Sequence, residues 1–240
     1  MHNIFGFSLF GSRKFVLLSM ILSDIEKKRK IWIATVNPEF IMETKKDKNF
    51  LTILETKTTY NVIDGIGLVW ALKTTGIFSG FKIGVEILMG RHRENLITGV
   101  DLMDDLCALA EKKSKTVFFY GGWDDRAGKT AEYFKNKYPK LKIVGAQAEN
   151  YDFNTKVDFL FVCRAMKKQE LWIDENFDRL KCKLVIGLGR TFDYYSNELP
   201  RAPLWMRKMG LEWLYSLITD GGRRKRKIEL LKFIWMVLNN

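Results

Sequence analysis

Histidine and cysteine are both scarce in this chain, and their scarcity excludes a good deal. His2 and His92 are the two histidines, and Cys107, Cys163 and Cys182 are the three cysteines, with no C-x-x-C spacing among them. A zinc site is therefore not expected, nor is any other metal or cofactor. Three unspaced cysteines read as free thiols in a reducing cytoplasm rather than as a disulfide framework. Long apolar runs are missing as well. The early residues Ile4, Phe5, Phe7, Leu9, Phe10, Phe15, Val16, Leu17 and Leu18 are interrupted by Arg13 and Lys14, whereas a signal peptide places its charge ahead of an unbroken apolar stretch. No segment reaches the roughly 18 apolar residues that span a bilayer, so the expectation is a protein that is not integral to a membrane but is able to lie on one. Internal repeats, low-complexity linkers, a G-x-G-x-x-G loop and a Walker lysine are also absent.

What is present is positive charge. Lys and Arg number 40 against 28 Asp and Glu, a formal net charge of +12 over 240 residues. Such an excess favours a polyanionic partner: nucleic acid, an anionic membrane or a diphosphate-bearing substrate. The hydrophobic share of 47% is ordinary for a globular chain long enough to bury a proper core.

Along the chain, short apolar runs alternate with helical periodicity. Residues 31–36, 61–63, 116–120, 141–145, 158–162 and 183–187 read as strands. Residues 39–56, 101–113, 127–138 and 168–180 read as helices, with a further helix carrying Val69 and Leu72. The alternation predicts an α/β, Rossmann-like fold: a mostly parallel sheet with helices on both faces. Ligands of such sheets gather at the carboxyl ends of the strands, where Thr35, Asn37, Asp64, Gly121, Gly122 and Gly189 fall. Composition shifts after Arg201, which divides the chain into a catalytic domain at 1–200 and a basic, amphipathic appendage at 201–240.

Two pairs at strand ends have both a plain and a functional reading. Asp64-Gly65 is a common turn pair, and equally a carboxylate able to act as a general base. Gly121-Gly122 suits a tight turn, and equally a phosphate held by exposed amides. In the tail, Arg223 to Lys227 are five consecutive cations, followed by Ile228, Leu230, Leu231, Phe233 and Trp235. This combination fits an interfacial anchor. It also fits a helix packed into the core or a subunit interface, and an apolar stretch of this kind left in water would favour a homo-oligomer.

Four segments, in order, resemble the WecG/TagA/CpsF glycosyltransferase family: Thr35-Val36-Asn37-Pro38-Glu39; Asp64-Gly65-Ile66-Gly67 with Trp70; Thr98-Gly99-Val100-Asp101-Leu102; and Phe192-Asp193 through Arg201-Ala202-Pro203-Leu204-Trp205 to Gly210-Leu211-Glu212-Trp213-Leu214-Tyr215. The resemblance implies an inverting transfer without a required metal. An N-acetylmannosamine-type sugar, or a related hexose or uronic acid, would pass from a UDP-sugar to N-acetylglucosamine on undecaprenyl diphosphate, at the inner face of the cell membrane, in surface polysaccharide or teichoic acid synthesis. It implies Asp64 as the base, with Thr35, Asn37 and Gly65 around it. Gln169 would contact the donor, together with the strand-end glycines 121, 122 and 189, and Arg201, Arg223 and Arg226 would serve substrate and acceptor diphosphate. Nucleic acid is not an expected partner. The alternative is a basic membrane- or nucleic-acid-binding protein whose catalytic site has weakened.

The sequence departs from the family at Leu96, where an arginine is usual and which Arg91 or Arg93 would have to replace. It departs again at Ala165-Met166, where glycine and proline are lost. The segment between Phe153 and Asp158 is short enough to predict a strained crossover, because neighbouring parallel strands need a dozen or more residues between them.

Overall fold

In the computed structural model, which describes residues 2–4, 6–219 and 224–239, six parallel strands form one sheet and the helices lie against its two faces. A hairpin of β1 (His2–Ile4) and β2 (Phe7–Leu9) leads into α1 (Lys14–Glu26) and β3 (Ile31–Val36). Then come α2 (Pro38–Thr44), α3 (Lys48–Thr52), a π-helical turn at Ile53–Lys57, β4 (Tyr60–Ile63), α4 (Ile66–Lys73), α5 (Ile77–Leu88) and α6 (Gly99–Lys112). The sheet is completed by β5 (Thr116–Gly121), α7 (Arg126–Lys137), β6 (Lys142–Gln147), β7 (Val157–Cys163), α8 (Lys168–Asn176) and β8 (Cys182–Gly187). Four helices follow: α9 (Thr191–Tyr195), α10 (Leu204–Lys208), α11 (Glu212–Thr219) and α12 (Arg224–Leu238). The strand order is β4-β3-β8-β7-β5-β6, so the chain adopts the expected Rossmann-like α/β architecture.

The strands read as unbroken apolar runs because both of their faces are covered. All six residues of β3 are buried. Ile31 and Ile33 point into a core shared with Leu17 of α1, Leu106 of α6, Phe134 of α7 and Phe192 of α9. Ala34 and Val36 point the other way, toward Phe40 of α2, Val69 of α4 and Phe233 of α12, as the two-residue period of a strand requires. Cys107, Cys163 and Cys182 are buried and unbridged.

The single helix expected over 39–56 is two helices and a π turn. Asp47 breaks it by capping α3, its carboxylate accepting from the Asn49 and Phe50 amides.

The short connection ahead of β7 does not strain the sheet. β6 and β7 are not neighbours, since β5 lies between them. Residues 148–156 cross over β5 as an irregular segment with a turn at 153–154, and nine residues, which reach roughly 30 Å at full stretch, leave slack for it. The missing helix is replaced by aromatic cover. Tyr151 is buried and packs edge-on against Phe118 and Tyr120 at 5.2 and 5.3 Å. Phe153 and Trp172 extend this layer, stacked at 6.3 Å.

Helix α12 turns back onto the α/β unit. Phe233 and Val237 are buried beside α2, and Lys46 pairs with Glu229 at 2.9 Å. Its opposite side leaves Ile228, Leu231 and Trp235 exposed. The packed face matches the reading of the tail as a helix laid against the core. Among the described residues, no helix is long and apolar enough to cross a membrane.

Candidate active site

The ends of β3 and β4 bring the central residues together. Val36 lies opposite Ile63 in the parallel register, and the Asp64 amide donates to the Val36 carbonyl at 2.7 Å, so Asp64 emerges beside Asn37. The Asp64 carboxylate accepts from the Gly99 amide at 3.2 Å. That amide is one of the orphan donors in the first turn of α6. Thr98 caps the helix: its hydroxyl accepts from the Asp101 amide at 3.2 Å and donates to the Asp101 carboxylate at 2.7 Å. Gly65, at φ +120, turns the chain out of β4 and into α4 in a conformation that few other residues tolerate.

Thr35 and Asn37, at the end of β3, have much of their bonding capacity already in use. The buried Thr35 hydroxyl donates to the Gly187 carbonyl at 2.7 Å and ties β3 to β8. The Asn37 side-chain oxygen accepts from the Glu39 amide at 2.9 Å and the Phe40 amide at 3.4 Å, capping α2.

The structure places Gln169 inside the protein. It is fully buried, and its oxygen accepts from the Gly189 amide at 2.9 Å while its nitrogen donates to Glu170 at 2.6 Å. Gln169 therefore holds the loop after β8 in place. Glu170, also buried, accepts from the Lys167 amide at 2.8 Å, and burial pushes its carboxyl up to about 7.

The Gly121-Gly122 amides are not laid out as a phosphate cradle. The Gly122 amide donates to the Cys163 carbonyl at 2.5 Å, and a side chain on Gly121 would collide with that same carbonyl. Both glycines have positive φ, so the pair is a close-packed turn. It also lies four strand spacings from β4, roughly 19 Å from Asp64.

Beyond that turn lies a basic cluster that the sequence reading missed. Asp193, almost fully buried, pairs with Arg126 at 2.6 Å and with Arg190. The two guanidinium groups flank the half-exposed Trp123 ring at 5.3 and 5.8 Å. Arg190 follows β8, two strand spacings or about 10 Å from the end of β4. The motif Phe192-Asp193 was the available signal, since an acid at a strand-to-helix turn needs cationic partners once it is buried.

Arg201 is held in an ion-pair network, with Asp101 at 2.7 Å and Glu212 at 3.1 Å. Burial alone would lower its basicity, but the two carboxylates raise it above the usual arginine value. It fastens the start of the C-terminal segment to α6. Arg223 lies outside the described residues, and Arg226 lies on α12 with only its backbone described. Arg93 does not take the place of the arginine lost at Leu96: it donates to the Arg207 and Lys208 carbonyls at the end of α10. Leu96 instead packs against the apolar core. Among the described residues, no three His, Cys, Asp or Glu side chains form a metal-binding group.

Comparison with known proteins gives the family of the chain. The model of the glycosyl transferase WecG/TagA/CpsF family matches residues 2–240. The chain is 31% identical over 224 residues to the N-acetylglucosaminyldiphosphoundecaprenol N-acetyl-beta-D-mannosaminyltransferase of Bacillus subtilis (strain 168), covering 89% of this chain and 81% of that protein. It is 27% identical over 225 residues to the enzyme of the same name from Bacillus spizizenii, covering 90% and 82%. The Staphylococcus aureus (strain MRSA252) enzyme of that name is 26% identical over 219 residues, covering 86% and 79%.

Proposed function

The chain belongs to the WecG/TagA/CpsF glycosyltransferase family, and from that premise we propose that it transfers an N-acetylmannosamine-type sugar from a UDP-sugar to N-acetylglucosamine on undecaprenyl diphosphate, with inversion. One observation carries this reading: Asp64 stands at the carboxyl end of the sheet, next to the 35–37 turn and on an amide of α6. From there its carboxylate takes the proton of the acceptor hydroxyl as that oxygen attacks the anomeric carbon opposite the departing UDP. A positioned base of this kind contributes about 10² to 10⁴ in rate. The Asn37 carboxamide nitrogen offers a hydrogen bond to the sugar.

The departing UDP gains negative charge, which fixed cations stabilise best where water is excluded. Arg190 offers that charge at the end of β8 in this reading, with Arg126 held beside it through Asp193, and Arg223 and Arg226 add to it from the tail beside the acceptor diphosphate. The exposed face of α12 suits a peripheral position at the inner membrane surface, with Trp235 and Leu231 toward the lipid.

Purified protein supplied with UDP-N-acetylmannosamine and a short-chain N-acetylglucosaminyl lipid diphosphate is expected to release UDP only when both are present. Absence of acceptor-dependent release with that donor and with other UDP-hexoses or UDP-uronic acids would overturn the assignment.

A further inference from the structure

We propose that α5 is a second membrane-docking element, whose apolar stripe lies in the interface of an anionic bilayer independently of the C-terminal helix. Helices of a water-soluble fold normally turn their apolar stripe inward, and α5 has a second stripe turned outward. Gly80 and Ile87 face the protein, while Ile77, Phe78, Phe81, Val85, Leu88 and Met89 face out. Phe78 is 93% exposed and Phe81 is 77% exposed. At about 100° per residue, the six outward positions fall within roughly 120° of the helix circumference. Single exposed apolar side chains need no explanation, but six aligned ones form a patch that water would drive into contact with something.

Charge identifies what covers it. Between residues 66 and 94 the cations are Lys73, Lys82, Arg91 and Arg93 and the acids are Glu86 and Glu94, an excess of cations. Glu86 already pairs with His92 at 2.5 Å and with Arg91 at 4.0 Å. Two copies of this face meeting across a two-fold axis would oppose like charges. Anionic headgroups complement the same charges while the acyl boundary accepts the phenylalanines.

The helix also lies near the candidate site: Ile87, on the inward side of α5, and Ile66, two residues from Asp64, both pack around Gly210, whose added Cβ would meet them at 2.8 and 3.2 Å. A bilayer under α5 would therefore lie close to the residues around Asp64, where a lipid-borne diphosphate would approach. This last step rests on the function proposed above, whereas the docking itself does not.

The test is sedimentation of full-length protein with vesicles of phosphatidylcholine alone or with phosphatidylglycerol added, comparing wild type with the double variant Phe78→Ser/Phe81→Ser. Both side chains are exposed, so circular dichroism should show an unchanged fold. The variant's partition onto anionic vesicles is expected to fall at least about tenfold. Transfer to a vesicle-embedded acceptor should fall with it, while transfer to a water-soluble short-chain acceptor is retained. If neither protein transfers sugar at all, the partition result still decides the docking proposal and only the functional reading fails. Equal partition of variant and wild type would overturn it. So would a wild-type dimer that becomes monomeric in the variant while neither binds vesicles, an outcome that assigns the stripe to a second copy.

Discussion

At the scale of single residues, the candidate site was partly legible because strand ends can be read from where apolar runs stop. Thr35, Asn37, Asp64 and Gly65 follow such runs, and the parallel register sets them side by side. Gln169 and Arg201 were legible as polar residues but not in their roles, because their partners Glu170, Gly189, Asp101 and Glu212 are fixed by tertiary contacts. The arginines after β5 and β8 were missed for the same reason. Glu170 gives a pH test. Burial raises its carboxyl from 4.5 to about 7, so the folded state holds the proton more tightly than the unfolded chain. Its stabilising contribution is complete below about pH 4.5 and is lost as pH rises through 7, a change of about 3 kcal/mol. Urea unfolding at pH 5 and pH 8 should show a smaller loss on going to pH 8 in Glu170→Gln than in wild type. Identical losses would contradict the burial effect. Asp193→Ala leaves Arg126 and Arg190 without their shared buried acid, and should cost about 3–5 kcal/mol in the same assay.

At the scale of elements, the strands of the main sheet and the helices between them from α2 to α4 and α6 to α8 were legible, because burial on both faces leaves an apolar signature in sequence. The β1–β2 hairpin, α1, α5 and α9 to α11 were not, and in α5 the outward stripe confuses the inward period that marks a surface helix. The 148–156 crossover was misjudged because strand order cannot be read from spacing: β5 intervenes, and Tyr151 covers the face that a helix would otherwise cover. The Tyr151 hydroxyl is buried without a hydrogen-bond partner. Tyr151→Phe is therefore expected to be neutral or stabilising, and Tyr151→Ala to cost about 3 kcal/mol. Equal losses in the two variants would show that the hydroxyl, rather than the ring, holds the loop. The two faces of α12 should separate in the same way. Phe233→Ala should lower stability by about 3–5 kcal/mol, while Trp235→Ser should stay within about 0.5 kcal/mol and reduce vesicle binding. Deletion of α12 would confound these effects by uncovering Phe40 and Val36.

At the scale of the molecule, a parallel sheet gathers polar residues at one end, and in the proposed function the basic and apolar surfaces would receive a charged, lipid-linked substrate there. The net charge of +12 indicated an anionic partner, but the sequence alone did not separate lipid from diphosphate. Folding places cations at the strand ends and beside an exposed apolar helix, so both partners have a surface to meet. In the proposed mechanism the decisive step is proton removal at residue 64. The most direct measurement is the rate of acceptor-dependent UDP release by Asp64→Asn, with donor affinity and thermal stability measured on the same preparation. Turnover should fall about 10²-fold or more while affinity and fold are kept. Turnover equal to wild type would contradict the role given to that carboxylate.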